Sequence, residues 1–155
     1  MSARTAPSRT DGLRELESEV AVMIRRVRRV IGERARAVHP ELLPASYLML
    51  GYVRDHGPVR ASAIGAVFDI DKGAISRQVQ HLIDLGLLDR SPDPDDGRAT
   101  LLTVSEEALR RLEEVADQRR AQLAERLGDW TAEDLTSFAA SLRRYNEALN
   151  EPGDR

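Results

Sequence analysis

Apolar positions recur at steps of three and four along most of the chain. Leu13, Leu16, Val20, Met23, Val27, Val30 and Ile31 set the first stripe, which predicts a helix from about Asp11 to Val38. At 1.5 Å per residue that helix is roughly 40 Å long, against a radius of gyration of ~15 Å for a compact chain of this size. The chain has too little of its own surface to cover it, so a partner subunit is expected. His39-Pro40 and Leu43-Pro44 then break the pattern. Pro44 suits the first turn of a second helix, which carries Tyr47, Leu48, Met49, Leu50 and Val53 to about His56, where Gly57-Pro58 stops it.

The pattern tightens after Val59. A short helix, about Ala61 to Phe68, carries Ile64 and Val67, and a turn follows at Asp69-Ile70. Asp71 is placed to cap the next helix. Its stripe is Ile75, Val79, Leu82 and Ile83, which leaves Lys72, Ser76, Arg77 and Gln80 together on the outward face. Gly86 suits the residue just past its end. Leu87–Ser91 and Ala99–Val104 read as strands around the polar turn Pro92–Gly97, giving a β-hairpin. Ser105 caps a long helix with Glu106 and Glu107 in its first turn. Its stripe is Leu109, Leu112, Val115, Ala116, Leu123 and Leu127, and Gly128 ends it. Thr131 caps a last helix bearing Leu135, Phe138, Leu142, Tyr145 and Leu149.

The predicted fold is therefore mainly α with a small β-wing: six helices, among them a winged helix-turn-helix. The second helix of such a pair fits the major groove, where its N-terminal residues reach base edges. Lys72, Ser76, Arg77 and Gln80 supply donors for phosphates and for purine edges. Arg98, near the hairpin tip, suits a minor groove whose potential attracts guanidinium. Asp96, two residues earlier, is placed to hold that side chain by a charge-assisted pair.

Composition removes several alternatives. The 155 residues include no cysteine, which excludes disulfides, thiolate metal sites and thiol redox sensing. His39, His56 and His81 have no metal-ligand spacing. No metal or other cofactor is expected. No nucleophile elbow or glycine-rich phosphate loop is present, so an enzyme is not expected either. No apolar run reaches the roughly 20 residues needed to cross a bilayer, and Met1–Thr10 lacks the apolar core of a secretory signal. A cytoplasmic protein without membrane contact is expected. Net charge works against a polyanion partner. It is -3 overall, and between Arg54 and Thr100 six basic residues face eight aspartates. Arg25, Arg26, Arg28 and Arg29 form a basic run on the first helix. It reads as a solvated face or, less simply, as a contact for DNA or an anion.

The stretch Asp96-Gly97-Arg98-Ala99-Thr100-Leu101-Leu102-Thr103 resembles the wing signature of the MarR family of bacterial transcription regulators. Ser91-Pro92-Asp93-Pro94-Asp95 is similar to that family's wing loop, Leu85-Gly86-Leu87 to the end of its recognition helix, and Trp130–Leu135 to the start of its last helix. The resemblance implies a homodimer whose first, fifth and sixth helices form the interface. It also implies double-stranded operator DNA as partner, with pseudo-palindromic half-sites about one helical turn apart. Arg98 would enter the minor groove, Asp96 would orient it, and Arg60 to Ser62 would lie near phosphates. Members usually act as repressors that a small-molecule effector releases. On this reading residues 1–10 are a disordered tail, 39–104 the DNA-binding domain, and 11–38 with 105–150 the helical dimerisation region. Glu151–Arg155 is a second frayed end.

Met23, Val27, Tyr47, Leu50 and Val53 could line an effector pocket between the first two helices, or simply serve as core. An alternative function follows from the acidic winged segment: a dimeric winged-helix protein that binds a ligand or protein partner and has lost DNA binding.

Overall fold

The structure is a computed structural model that describes residues 8–149. Six helices and three strands occur among them: α1 Arg9–Val38, α2 Pro44–His56, β1 Val59–Arg60, α3 Ala61–Phe68, α4 Lys72–Asp84, β2 Leu88–Pro92, β3 Thr100–Val104, α5 Glu106–Arg126 and α6 Ala132–Leu149. The chain divides into two compact units, one ending at Val115 and one beginning at Ala116, so the boundary falls inside α5. No helix among the described residues is long and apolar enough to cross a membrane.

Capping chemistry sets the helix starts. Ser8 Oγ accepts from the Asp11 N–H at 3.2 Å while Asp11 Oδ2 accepts from the Ser8 N–H at 3.3 Å, a reciprocal box that begins α1 at Arg9. The helix thus starts two residues before the predicted Asp11. Ser8, Arg9 and Thr10 belong to it rather than to the expected tail. The rest of that tail, residues 1–7, and the C-terminal end, residues 150–155, lie outside the described residues. Pro44 opens α2 and Gly57 closes it, as the sequence predicts.

In the first unit, Val38, Leu42, Met49, Leu50, Val53, Ile64, Ile75, Leu82, Leu87, Leu88, Leu102 and Leu112 form one continuous core. It packs helices α2 to α4 against the sheet. That sheet has three antiparallel strands in the order β1-β3-β2, not the two of a simple hairpin. β1 pairs Val59 with Leu102 and Arg60 with Leu101. Two residues carry no periodicity, so β1 has no sequence signature. The α3–α4 turn is set by Asp69, whose φ of 51° is left-handed, a region that Asp tolerates better than most residues. Gly65 lies against that turn, where an added Cβ would meet the Ile70 carbonyl oxygen at 3.0 Å. Gly86, with φ 70°, ends the α4 region as predicted.

None of the predicted α1 stripe is buried, and Gly32, Ala35 and Val38 take that place; on α3 and α5 stripe residues also face outward. Val67 is 57% exposed, because α3 turns Ile64 and Gly65 inward instead. Leu109 is also exposed; the i, i+4, i+7 set Ala108, Leu112 and Val115 takes the buried face of α5.

In the second unit, Thr131 and Asp134 form another capping box. Hydrogen bonds from the Thr131 hydroxyl and then from its N–H hold the Asp134 carboxyl below its ordinary pKa. Trp130 meets Phe138 edge-on at 5.7 Å. No residue of α6 is buried.

Candidate nucleic-acid interface

The outward face of α4 follows from its cap and its stripe. Asp71 Oδ1 accepts from the N–H groups of Gly73 and Ala74, both at 2.9 Å. These bonds, the one from Ala74 foremost, hold the Asp71 carboxyl below its ordinary pKa. With Ile75, Val79 and Leu82 buried, Lys72, Ser76, Arg77 and Gln80 all stand exposed on the other side, as the periodicity predicts. Their freedom differs, however. The Ser76 hydroxyl donates back to the Lys72 carbonyl at 2.8 Å. Gln80 is held at both ends: its Nε2 donates to Asp84 Oδ1 at 2.7 Å, and its Oε1 accepts from Arg90 Nη2 at 2.6 Å. Arg90 links α4 to strand β2, a tie that sequence spacing does not suggest.

The wing loop between β2 and β3 closes on itself. The Asp93 N–H donates to the Ala99 carbonyl at 3.1 Å, and the Ala99 N–H to the Asp96 carbonyl at 2.8 Å. Asp96 does not form the expected ion pair with Arg98. Its Oδ1 accepts from the Arg98 backbone N–H at 3.1 Å, and its Oδ2 lies 4.0 Å from Arg60. A short Asp side chain two residues upstream reaches a main-chain N–H more easily than a guanidinium, which is the usual Asx-turn geometry. The exposed Arg98 side chain, with Arg90, Ser91, Pro92 and Thr100, borders a shallow cleft on the wing.

Arg60 lies where β1 passes into α3. Its guanidinium is held by carboxylates of the wing loop. Its Nε donates to Asp93 Oδ2 at 2.7 Å, across 33 residues of sequence. Asp93 is 6% exposed, and its Oδ1 also accepts from the Asp95 N–H at 2.9 Å. The Asp95 N–H and then Arg60 hold its carboxyl below the ordinary range. Ser62, in the first turn of α3, is exposed.

The acidic balance of this region has a local explanation. Asp71 caps a helix, Asp93 and Asp96 organise the wing loop, Asp84 holds Gln80, and Asp55 pairs with Arg54 at 2.7 Å. These carboxylates face donors of the protein itself, while Lys72, Arg77 and Arg98 stand exposed.

The proposed effector lining does not assemble. Leu50 and Val53 are core residues at 0% and 2% exposure, Tyr47 is partly buried against that core, and Met23 and Val27 are 38% and 46% exposed on α1. The first pair fills the interior and the last pair faces outward, so no single lining contains all five. Asp93 and Arg90 are the residues the sequence reading missed. Asp93-Pro94-Asp95 is recognisable as a turn, but nothing in its spacing points to Arg60.

Residues 41–99 match the family model of the MarR family. That segment runs from the turn before α2 through the wing loop. The uncharacterized HTH-type transcriptional regulator YxaD of Bacillus subtilis is 29% identical over 134 residues, covering 86% of this chain and 92% of its own. Among solved structures, RV1404 from Mycobacterium tuberculosis aligns with a TM-score of 0.76 at 18% identity, over 97% of this chain and all of its own. A mutant MarR from E. coli complexed with operator DNA aligns at 0.62 and 18% identity, over 90% of this chain and 99% of its own. At these identities the structural likeness is one of fold.

Proposed function

We propose that this chain is a helix-turn-helix transcriptional regulator of the MarR family, whose model matches residues 41–99, and that it acts as a homodimeric repressor released from a pseudo-palindromic operator by a small-molecule ligand. The observation that carries the DNA-binding reading is the exposed set Lys72, Ser76 and Arg77 on α4, beside a closed wing loop that presents Arg98. In this reading α4 enters the major groove and Arg98 the minor groove. Gln80 meets the duplex with its amide already oriented by Asp84 and Arg90. Residues 39–104 then act as the DNA-binding part. α1 with α5 and α6 supplies the dimer contacts, supported by exposed Leu13, Leu16, Ile24 and Val27 on α1 and Leu135 and Phe138 on α6. The protein acts in the cytoplasm, where its DNA is, and does so by binding rather than by catalysis. The alternative, a winged dimer without DNA binding, loses support because five of the eight aspartates that motivated it face donors within the protein.

Selection from a random duplex pool tests this reading. The wild-type protein should enrich an inverted repeat with half-sites about one helical turn apart. Enrichment of no sequence would overturn it.

A further inference from the structure

We infer that Arg60 is a positioning residue for the wing, acting through Asp93 to fix where Arg98 meets the minor groove, and is not itself a phosphate contact. The inference rests on the DNA-binding reading above and adds a residue role to it.

Sheet register brings the parts together. Arg60 of β1 lies opposite Leu101 of β3, and Leu101 lies opposite Ser91 of β2. Asp93 follows two residues after Ser91, which places its carboxylate beside the Arg60 side chain. Two guanidinium nitrogens then converge on one oxygen, Nε at 2.7 Å and Nη2 at 2.5 Å, while Nη1 points to Asp96 at 4.0 Å. All three nitrogens of Arg60 therefore face wing carboxylates. A phosphate could recruit Nε or Nη2 only by breaking a pair whose acid partner is nearly fully buried. The other Asp93 oxygen holds the Asp95 N–H, the Asp93 N–H holds Ala99, and Asp96 holds the Arg98 N–H. The loop thus moves as one piece, pinned at Asp93 to the first helix of the helix-turn-helix. Arg60 is the pin on the other side.

Charge gives this reading a distinctive sign. Removing the negative charge of Asp93 near a duplex should, by simple electrostatics, tighten binding to phosphates. A pin predicts the opposite. On a duplex selected by the wild-type protein, Arg60→Ala and Asp93→Asn should each weaken binding roughly tenfold, within the range of coupled neighbouring groups. Neither should weaken it much further once Arg98→Ala is present. Arg60→Lys should recover only part of the loss, because an ammonium lacks the forked geometry. Without any DNA, Arg60→Ala should also speed hydrogen exchange at the Asp95 and Ala99 amides and leave Val79 and Leu82 in α4 unchanged.

Tighter binding by Asp93→Asn would overturn the inference. So would a full additive loss in Arg60→Ala with the salt slope reduced by about one, the mark of a phosphate contact. Unchanged exchange at Asp95 and Ala99 would overturn the pin even if the selection enriched no sequence, an outcome that by itself sinks the DNA-binding reading.

Discussion

Helices α4 and α6 are both amphipathic, yet they meet opposite fates in the single chain. α4 buries Ile75, Val79 and Leu82 in the core of the first unit. α6 repeats Leu135, Phe138 and Leu149 on one face and leaves them 43%, 53% and 62% exposed. The difference does not lie in the helices, since both have sound caps and regular stripes. It lies in what surrounds them: α2, α3 and the sheet enclose α4, whereas α6 buries none of its residues. An apolar helix face left open in one chain is the kind of surface that interactions cover. The winged part is closed by its own sequence; in the proposed dimer a second copy would cover the terminal helices.

The largest expected effect comes from breaking the closed side. Leu82→Ala should destabilise the fold by about 2–5 kcal/mol through the cavity it leaves, to the same extent at all protein concentrations. Phe138→Asp should act differently. Light scattering should show the wild type as a dimer and the variant as a monomer, and the melting temperature of the wild type should rise with its concentration. A wild-type monomer would remove the contrast between α4 and α6 altogether.

Arg98→Ala comes next. It should weaken specific DNA binding by about 1–3 kcal/mol in an anisotropy titration, with no change in assembly or melting. That result would separate recognition from both kinds of packing.

The smallest effect concerns Glu107 at the start of α5. Hydrogen bonds from Arg110 and then Arg111 lower its pKa from the ordinary 4.5 to about 2. The charged form is favoured in the folded state, so the stabilisation is complete above pH 4.5 and is lost as pH falls toward about 2. Glu107→Gln should flatten the acid limb of thermal stability over that window. The change will be modest, because the pair is exposed to solvent.

Much of this arrangement is legible in the sequence because it is local. Pro44 and Gly57, the Asp71 cap, Gly86 and the Thr131 cap each mark a boundary within a few residues, and the boundaries of α2 and α3 follow from them. The exposed face of α4 follows from a three-and-four spacing. What escaped is non-local. β1 is two residues long and exists because β3 lies beside it. The Arg60–Asp93 pair joins positions 33 residues apart, and Arg90 reaches Gln80 only because β2 runs back past α4. Asp96 differs from these: its bond goes to the main chain rather than the side chain of Arg98. Spacing alone also does not separate Leu50 from Met23: both are apolar at helical intervals, yet one is core and the other lies on an open face.

The central claim is sequence-specific DNA binding, and fluorescence anisotropy tests it most directly. The purified protein should be titrated, near physiological salt, onto duplex DNA from upstream of its own gene and onto a shuffled control. A preference of roughly a thousandfold or more for its own DNA is the predicted result. Equal, weak binding to both duplexes would contradict it.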